Sequence, residues 1–423
     1  MKILHTSDWH LGRSFHGASL LDEQAEALDR IARIVEQEEV ELVVVAGDLF
    51  DRAIPPAPAV ELLGATLNRF HAAGAAVAAI SGNHDSAVRV GGNDALLNLL
   101  GVALRGDHRR VAEPLVLERP ADGGPPVAVY LIPYLEPVAV AADLSVAVAP
   151  NEIAPDTSAV PTLFDHLDSD RAADSGRTGG RSHRPTQDLV TRAAVARIRE
   201  DIVRRGSVRS VVVAHTFVAG GEVSDSERDL SVGNLERVSL STFDGFDMVA
   251  LGHLHSPQRL AGERIAYAGS PLPYSFSEEG QTKSVRMVEL APSGEVTATL
   301  VPLSVGRPVR TIVGDLADLL VDPALADAES ARVRVRLTDA DLPNSAMARL
   351  RIRFPYAVEL RHEPGGSMPV AGDDFVATGD IRRLEPLDLA LRFWQEQEGS
   401  EADSSERDLL ALALDAAVRE AAS

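Results

Sequence analysis

Asp8 and His10 stand two residues apart at the end of a short apolar run in MKILHTSDWHLG. In extended backbone, alternate side chains share a face, so this carboxylate and imidazole can grip one object together. The same pattern, a polar group after an apolar run, recurs down the chain. LVVVAGDLFD ends on Asp48 and, three residues later, Asp51; AAVAAISGNHD offers Asn83 and His84; SVVVAHTF offers His215; DMVALGHLH offers His253 and His255. Glycines 47, 82 and 252 let the backbone turn sharply just before three of these groups. Asp8, His10, Asp48, Asn83, His215, His253 and His255 are all oxygen or imidazole donors. Seven ligands exceed what one four-coordinate ion needs and suit two cations sharing a carboxylate and a water. Two cations roughly 3.5–4 Å apart activate that water and stabilise the attacking and leaving oxygens of a phosphate ester. The expected chemistry is phosphoester hydrolysis.

Groups spread from residue 8 to residue 255 meet only if a fold gathers them. Residues 2–6, 41–46 and 75–81 read as strands. Leu21, Ala25, Leu28, Ile31 and Val35 recur at helical spacing, as do residues 59–71. This βαβαβ order predicts a layered α/β core, and strands at 127–132, 210–214 and 247–251 read as later members of the same domain. In open α/β sheets, ligands bind beyond the carboxyl ends of the strands, where all these motifs fall. Residues 151–190 carry Pro, Gly, Ser, Asp and Arg without periodicity and read as a mobile insertion with one helical turn near residues 163–167. A hairpin at 284–303, the alternating ARVRVRL at 331–337 and a helix at 346–354 predict a small α+β domain. After PGGSMPVAGDD, two amphipathic helices follow, one with Leu387, Leu391 and Trp394 on a stripe, the other from Ser405 with Asp408 three residues on. The expected division is a catalytic domain over 1–280, a capping domain over 281–368, and a linker with two docking helices over 369–423.

A chain of 423 residues with 45% apolar residues fills two or three cores. The absence of cysteine removes disulfides, thiolate nucleophiles and zinc-finger sites, leaving His, Asp, Glu and Asn as ligands. No run of eighteen apolar residues occurs and the first residues read as a strand, which points to a soluble, cytoplasmic protein. The net charge of −22 counts against a nucleic-acid partner, unless bound cations or a second subunit supply positive surface.

In this order, D-x-H, G-D-x-x-D, G-N-H-D, a lone His and G-H-x-H resemble the signature of the calcineurin-like metallophosphoesterases. The flanking SDWHLGRSFHG, SERDLSVGN, ALGHLHSPQ and GSPLPYSFSE are similar to the nuclease subunits of bacterial double-strand-break repair complexes. The resemblance implies a metallophosphoesterase β-sandwich flanked by helices, with a small capping domain and a C-terminal helical hairpin. It implies a manganese-dependent nuclease acting on DNA ends and hairpins. It also implies a homodimer assembled with an ATPase related to structural-maintenance-of-chromosomes proteins, at the nucleoid. It gives Asp8, His10, Asp48 and His255 to one cation and Asp48, Asn83, His215 and His253 to the other. His84 corresponds to the family's catalytic histidine, and Asp51 stands where other members often carry His. The donor types also admit Fe²⁺, Zn²⁺ or Mg²⁺. No G-x-x-x-x-G-K-[ST] loop occurs, so ATP is expected to act through the partner.

Other readings stay open at this point. The same centre suits a small phosphorylated substrate, and a non-catalytic scaffold with a structural metal site is the alternative to an enzyme. Asp51 reads equally as a helix cap or as a group orienting an imidazole. His5 reads as core and His16 as core or substrate-facing. Arg13, the row Arg332, Arg334 and Arg336, and the cluster Arg349, Arg351 and Arg353 read as phosphate contacts or solvated surface.

Overall fold

The computed structural model describes residues 1–146, 185–224, 227, 237–364, 387, 391, 406, 407, 409 and 410. The sequence-based insertion at 151–190 and both C-terminal helices fall largely or wholly outside these residues. Residues 1–146 and 185–364, as far as they are described, form one compact unit.

In chain order, this unit is built from β1 (Lys2–Thr6), α1 (Leu21–Gln37), β2 (Leu42–Val45), α2 (Ala57–Ala72), β3 (Ala76–Ile80), β4 (Val102–Arg105), β5 (Leu115–Leu117) and β6 (Val127–Ile132). There follow α3 (Gln187–Arg205), β7 (Arg209–His215), β8 (Met248–Gly252), β9 (Gln258–Ala261), β10 (Ile265–Tyr267), β11 (Ser284–Leu290) and β12 (Val296–Pro302). Two six-stranded sheets result, ordered β12-β11-β1-β2-β3-β4 and β9-β10-β8-β7-β6-β5. Their inner faces share one core in which Ile3, Val44 and Ile80 meet Val129, Val213 and Ala250. Helices α1 and α2 cover the outer face of the first sheet through Leu28, Ile31, Leu63 and Phe70, and α3 covers the second through Val195 and Ile198. Burial on both faces explains why the central strands read as unbroken apolar runs rather than alternating ones.

Strands 127–132, 209–215 and 248–252 lie in the same unit as the first three, as expected, and form its second sheet. One sequence expectation changes in detail. The hairpin expected to open the small domain instead joins the first sheet, with β11 antiparallel to β1 from Lys2 opposite Glu289 to His5 opposite Arg286. A further, three-stranded sheet with its own helix follows after residue 302. It comprises β13 (Val309–Gly314), β14 (Arg332–Leu337), α4 (Ala346–Arg353) and β15 (Ala357–His362), its three strands parallel over a core of Ile312, Val333, Val335, Leu350 and Phe354. No helix among the described residues is long and apolar enough to cross a membrane.

His5 ties the two sheets together. Its Nε2 lies 3.1 Å from the Leu251 carbonyl, which can only accept, so Nε2 carries the proton and the unpartnered Nδ1 is bare. Burial, with Arg286 nearby, pushes this imidazole down to about 3. The unfolded chain takes up a proton near pH 6.5 and the folded one does not, so this contribution to stability is complete above that pH and is lost as pH falls towards 3. Denaturant unfolding from pH 7 to pH 4 should show a shallower loss for His5→Gln than for the parent, by up to about 1.4 kcal/mol per pH unit.

Candidate metal centre

The five polar motifs all lie at the carboxyl ends of parallel strands, three in the first sheet (β1, β2, β3) and two in the second (β7, β8). The two sheets bring these ends together. Asp8 N–H bonds the Gly47 carbonyl at 3.0 Å and His10 N–H the Asp48 carbonyl at 2.9 Å, zipping the first two loops side by side. Asp85 clasps two loops together, its carboxylate accepting the N–H groups of Leu49 and Phe50 from one and Gly82 from its own at 2.9 Å each. Asp85 closes the G-N-H-D motif but had no role assigned from sequence; its position there was the available signal.

Backbone conformation and glycine spacing deliver the side chains. Asp8, His10, Asp48 and His253 have φ of 53°, 44°, 47° and 105°. Non-glycine residues rarely adopt such values, and they persist where surrounding bonds over-determine them. Gly82 stands against the next motif: a Cβ there would lie 2.1 Å from Asp48 Oδ1 and 2.4 Å from Asp48 N. Gly82→Ala must therefore displace Asp48 itself. The expected result is a loss of about 1–3 kcal/mol in stability from overpacking and of at least ~10²-fold in turnover from a shift near 1 Å, measured by thermal unfolding and steady-state hydrolysis.

All seven predicted ligands, with His84 and Asp51, converge. Asp48 Oδ2 lies 3.5 Å from His10 Nε2 and 3.5 Å from His215 Nε2. On one side, His10 Nε2 and His255 Nε2 face each other at 3.3 Å, with Asp8 in the same group of potential ligands. On the other, Asn83 Oδ1 lies 2.9 Å from His215 Nε2 and 3.3 Å from His253 Nδ1, and the His253 N–H bonds both Asp8 carboxylate oxygens at 3.1 and 3.2 Å. His84 donates its main-chain N–H to Asp48 Oδ1 at 2.9 Å, and its Nδ1 lies 3.0 Å from the Asp51 carbonyl oxygen. Its ring is half-buried and stands edge-on to His10, with centroids 4.8 Å apart. Asp51 is not a plain cap: Oδ1 lies 3.6 Å from His10 Nδ1 and 3.3 Å from Arg13.

The donors fit divalent cations on two observations. His215 Nδ1 lies 2.9 Å from the Ala46 carbonyl and must donate to it, so Nε2 presents a lone pair to Asn83 Oδ1 and the Asp48 carboxylate. Three electron-rich atoms converge with no proton between them, and a cation satisfies all three. Second, the buried carboxylates Asp8, Asp48, Glu227 and Glu278 gather here against one buried ammonium, Lys283. Buried charge of one sign is costly unless paired, and metal coordination supplies the balance. Burial and the adjacent Asp48 raise the Asp8 carboxyl well above the usual range. Burial opposes ionisation of Asp48 too, and what holds its carboxyl down is the charge that His215, His10 and His84 carry in their protonated forms, together with the His84 N–H. Burial lowers His10 to about 4 and His253 to about 3, so both present neutral, lone-pair nitrogens at neutral pH.

The other candidates are placed differently. His16 packs at a tilt against the Phe276 ring, with centroids 5.4 Å apart, and faces Glu359 at 3.6 Å. Arg332, expected on a half-exposed strand, is buried and paired through both terminal nitrogens with Glu23 at 2.8 and 2.7 Å; Arg334 and Arg336 pair with Glu359 and Glu363. Arg353 bonds Glu329, and Arg351 the Ala357 carbonyl. Acidic neighbours have claimed most of these guanidinium groups. Sequence reasoning missed Glu227, Glu278, Lys283 and Tyr274, which lie behind His255 and His10 in loops without periodicity.

The profile of the calcineurin-like phosphoesterases matches residues 1–257. The SbcD subunit of the nuclease SbcCD from Bacillus subtilis (strain 168) is 36% identical over 313 residues, 73% of this chain and 71% of its own length. Among solved structures, a protein of Thermus thermophilus is 14% identical, with 71% of this chain and 98% of the other covered at a TM-score of 0.36. A dimetal phosphatase from Danio rerio is 12% identical, with 72% and 96% covered at a TM-score of 0.39. Neither structural likeness carries weight at such scores.

Proposed function

The chain belongs to the calcineurin-like phosphoesterase family, and from that premise we propose that it is the manganese-dependent nuclease subunit of an SbcCD-type complex. Its substrates are double-strand ends, digested 3′ to 5′, and single-stranded or hairpin DNA, cut internally during repair and recombination. Asp8, His10, Asp48 and His255 would hold one cation and Asp48, Asn83, His215 and His253 the other. Bound there, two divalent ions lower the pKa of a shared water and stabilise charge on the attacking and leaving oxygens of a phosphodiester.

His84 moves the proton. The Asp51 carbonyl, 3.0 Å away, fixes the proton on Nδ1 and leaves Nε2 to meet the scissile phosphate. In its protonated form Nε2 donates to the leaving 3′ oxygen, and its half-buried position admits a substrate to that atom. Arg13, over the Tyr274 ring at 4.9 Å and 3.3 Å from Asp51, braces the loop that carries this carbonyl.

The small domain after residue 302 caps the cleft and orients the duplex. The C-terminal helices, largely outside the described residues, dock on the coiled coil of an SbcC-like ATPase. Two copies of each chain make the working assembly, in the cytoplasm at the nucleoid. A net charge of −22 fits a chain that meets DNA through bound cations and a partner's basic surface. The observation carrying this reading is the convergence of seven donors from five strand ends in a chain 36% identical to a nuclease subunit. The test compares manganese-dependent cleavage of double-stranded and hairpin DNA with that of a chromogenic phosphomonoester, with and without the ATPase. Cleavage of DNA, enhanced by the ATPase, is expected; preference for the monoester would instead mark a small-substrate phosphatase.

A further inference from the structure

Behind His255 lie three buried charged side chains that the hydrolytic scheme leaves unused. Glu227, Glu278 and Lys283 are 5%, 2% and 8% exposed. His255 Nδ1 lies 3.7 Å from Oε1 of each glutamate. Glu227 is bound to main chain, accepting the N–H groups of Ser224 and His255. Glu278 accepts the Tyr274 N–H at 3.0 Å through Oε1 and pairs through Oε2 with the Lys283 ammonium. That ammonium also donates to the His255 carbonyl at 3.0 Å and to Ser270 Oγ at 3.1 Å. Lys283 thus clamps both the main chain of residue 255 and the carboxylate facing its ring.

On the opposite half, His215 Nδ1 donates to the Ala46 carbonyl at 2.9 Å, and the carboxylate oxygen nearest that nitrogen, Asp8 Oδ1, stands farther off at 3.9 Å and is itself assigned to the first cation. On the His255 side, Asp51 Oδ1 stands behind His10 in addition to Glu278 behind His255. A carboxylate behind a ligating imidazole fixes its tautomer and orientation and raises the basicity of the other nitrogen; a carbonyl orients the ring with less charge.

We propose that Glu278, held by Lys283, is a positioning residue that makes the cation position among Asp8, His10 and His255 the tighter of the two. This rests on the two-cation reading above. Glu278→Gln keeps the shape and an acceptor for the Tyr274 N–H while removing the charge.

The full-length chain, stripped with chelator, is titrated with Mn²⁺ by calorimetry. The parent is expected to bind two ions in two affinity classes. Glu278→Gln should weaken the tighter class by about 10–100-fold and leave the looser one unchanged. Asn83→Ala, which removes a donor of the other position, should do the converse. An unchanged tighter class in Glu278→Gln, or equal weakening of both, would overturn the proposal. Should that variant fail to fold, Lys283→Met is read by the same criterion, with the tighter class selectively weakened. Fewer than two ions in the parent would instead overturn the two-cation reading, and the affinity of the remaining ion in Glu278→Gln would still decide what Glu278 does.

Discussion

Replacing Asp48 with Asn is expected to abolish DNA hydrolysis and the stabilisation conferred by manganese, while leaving the metal-free fold at least as stable as the parent. One oxygen of this carboxylate stands 3.5 Å from an imidazole of each half of the centre, and the other accepts the His84 N–H. Asn keeps the shape and that acceptor but loses the charge shared by both halves. Removing a single preorganised electrostatic group costs up to ~10³-fold in turnover, and Asp48 serves two cations, so a loss of at least ~10³-fold is expected. The parent should gain about 2.7 kcal/mol for each site at manganese concentrations near 100 times Kd, and the variant little. Without metal the sign reverses. Asp48 raises the ionisation cost of the buried Asp8, so its neutral replacement relieves a like-charge pair. Thermal unfolding with and without manganese reads both effects; a variant that still gains the parent's full increment would show that Asp48 is no ligand.

The second large effect separates chemistry from metal binding. His84→Ala should lower DNA cleavage by about 10²–10⁴-fold, the range of a positioned general acid, with manganese stoichiometry unchanged. The geometry makes this a demanding test, because the potential ligand atoms of His10, Asp48 and His84 all lie within 4.8 Å of one another. If the variant loses an ion, His84 is a ligand. If it keeps both ions and the parent's rate, another group protonates the leaving oxygen.

Legibility in the sequence followed the physics of burial. Strands covered on both faces, such as Leu42–Val45 and Val127–Ile132, stand out as apolar runs, and the polar groups ending them were visible for that reason. Which sheet a strand joins was not written locally: the Ser284–Pro302 hairpin pairs with residues 2–5 at the far end of the chain. Arg332 was misjudged because alternation in ARVRVRL reports only the pleat, whereas its burial depends on Glu23, 309 residues away. Glu278 and Lys283 escaped for a similar reason, their meaning lying in a loop folded behind His255. Asp51 was ambiguous in sequence because its carboxylate and its carbonyl do separate jobs, one facing His10 and Arg13, the other holding His84.

Anomalous scattering from a manganese-soaked crystal tests the shared centre most directly. Two peaks roughly 3.5–4 Å apart are expected, one bounded by Asp8, His10 and His255, the other by Asn83, His215 and His253, with Asp48 touching both. A single peak, or peaks that Asp48 does not bridge, would contradict the two-cation hydrolase.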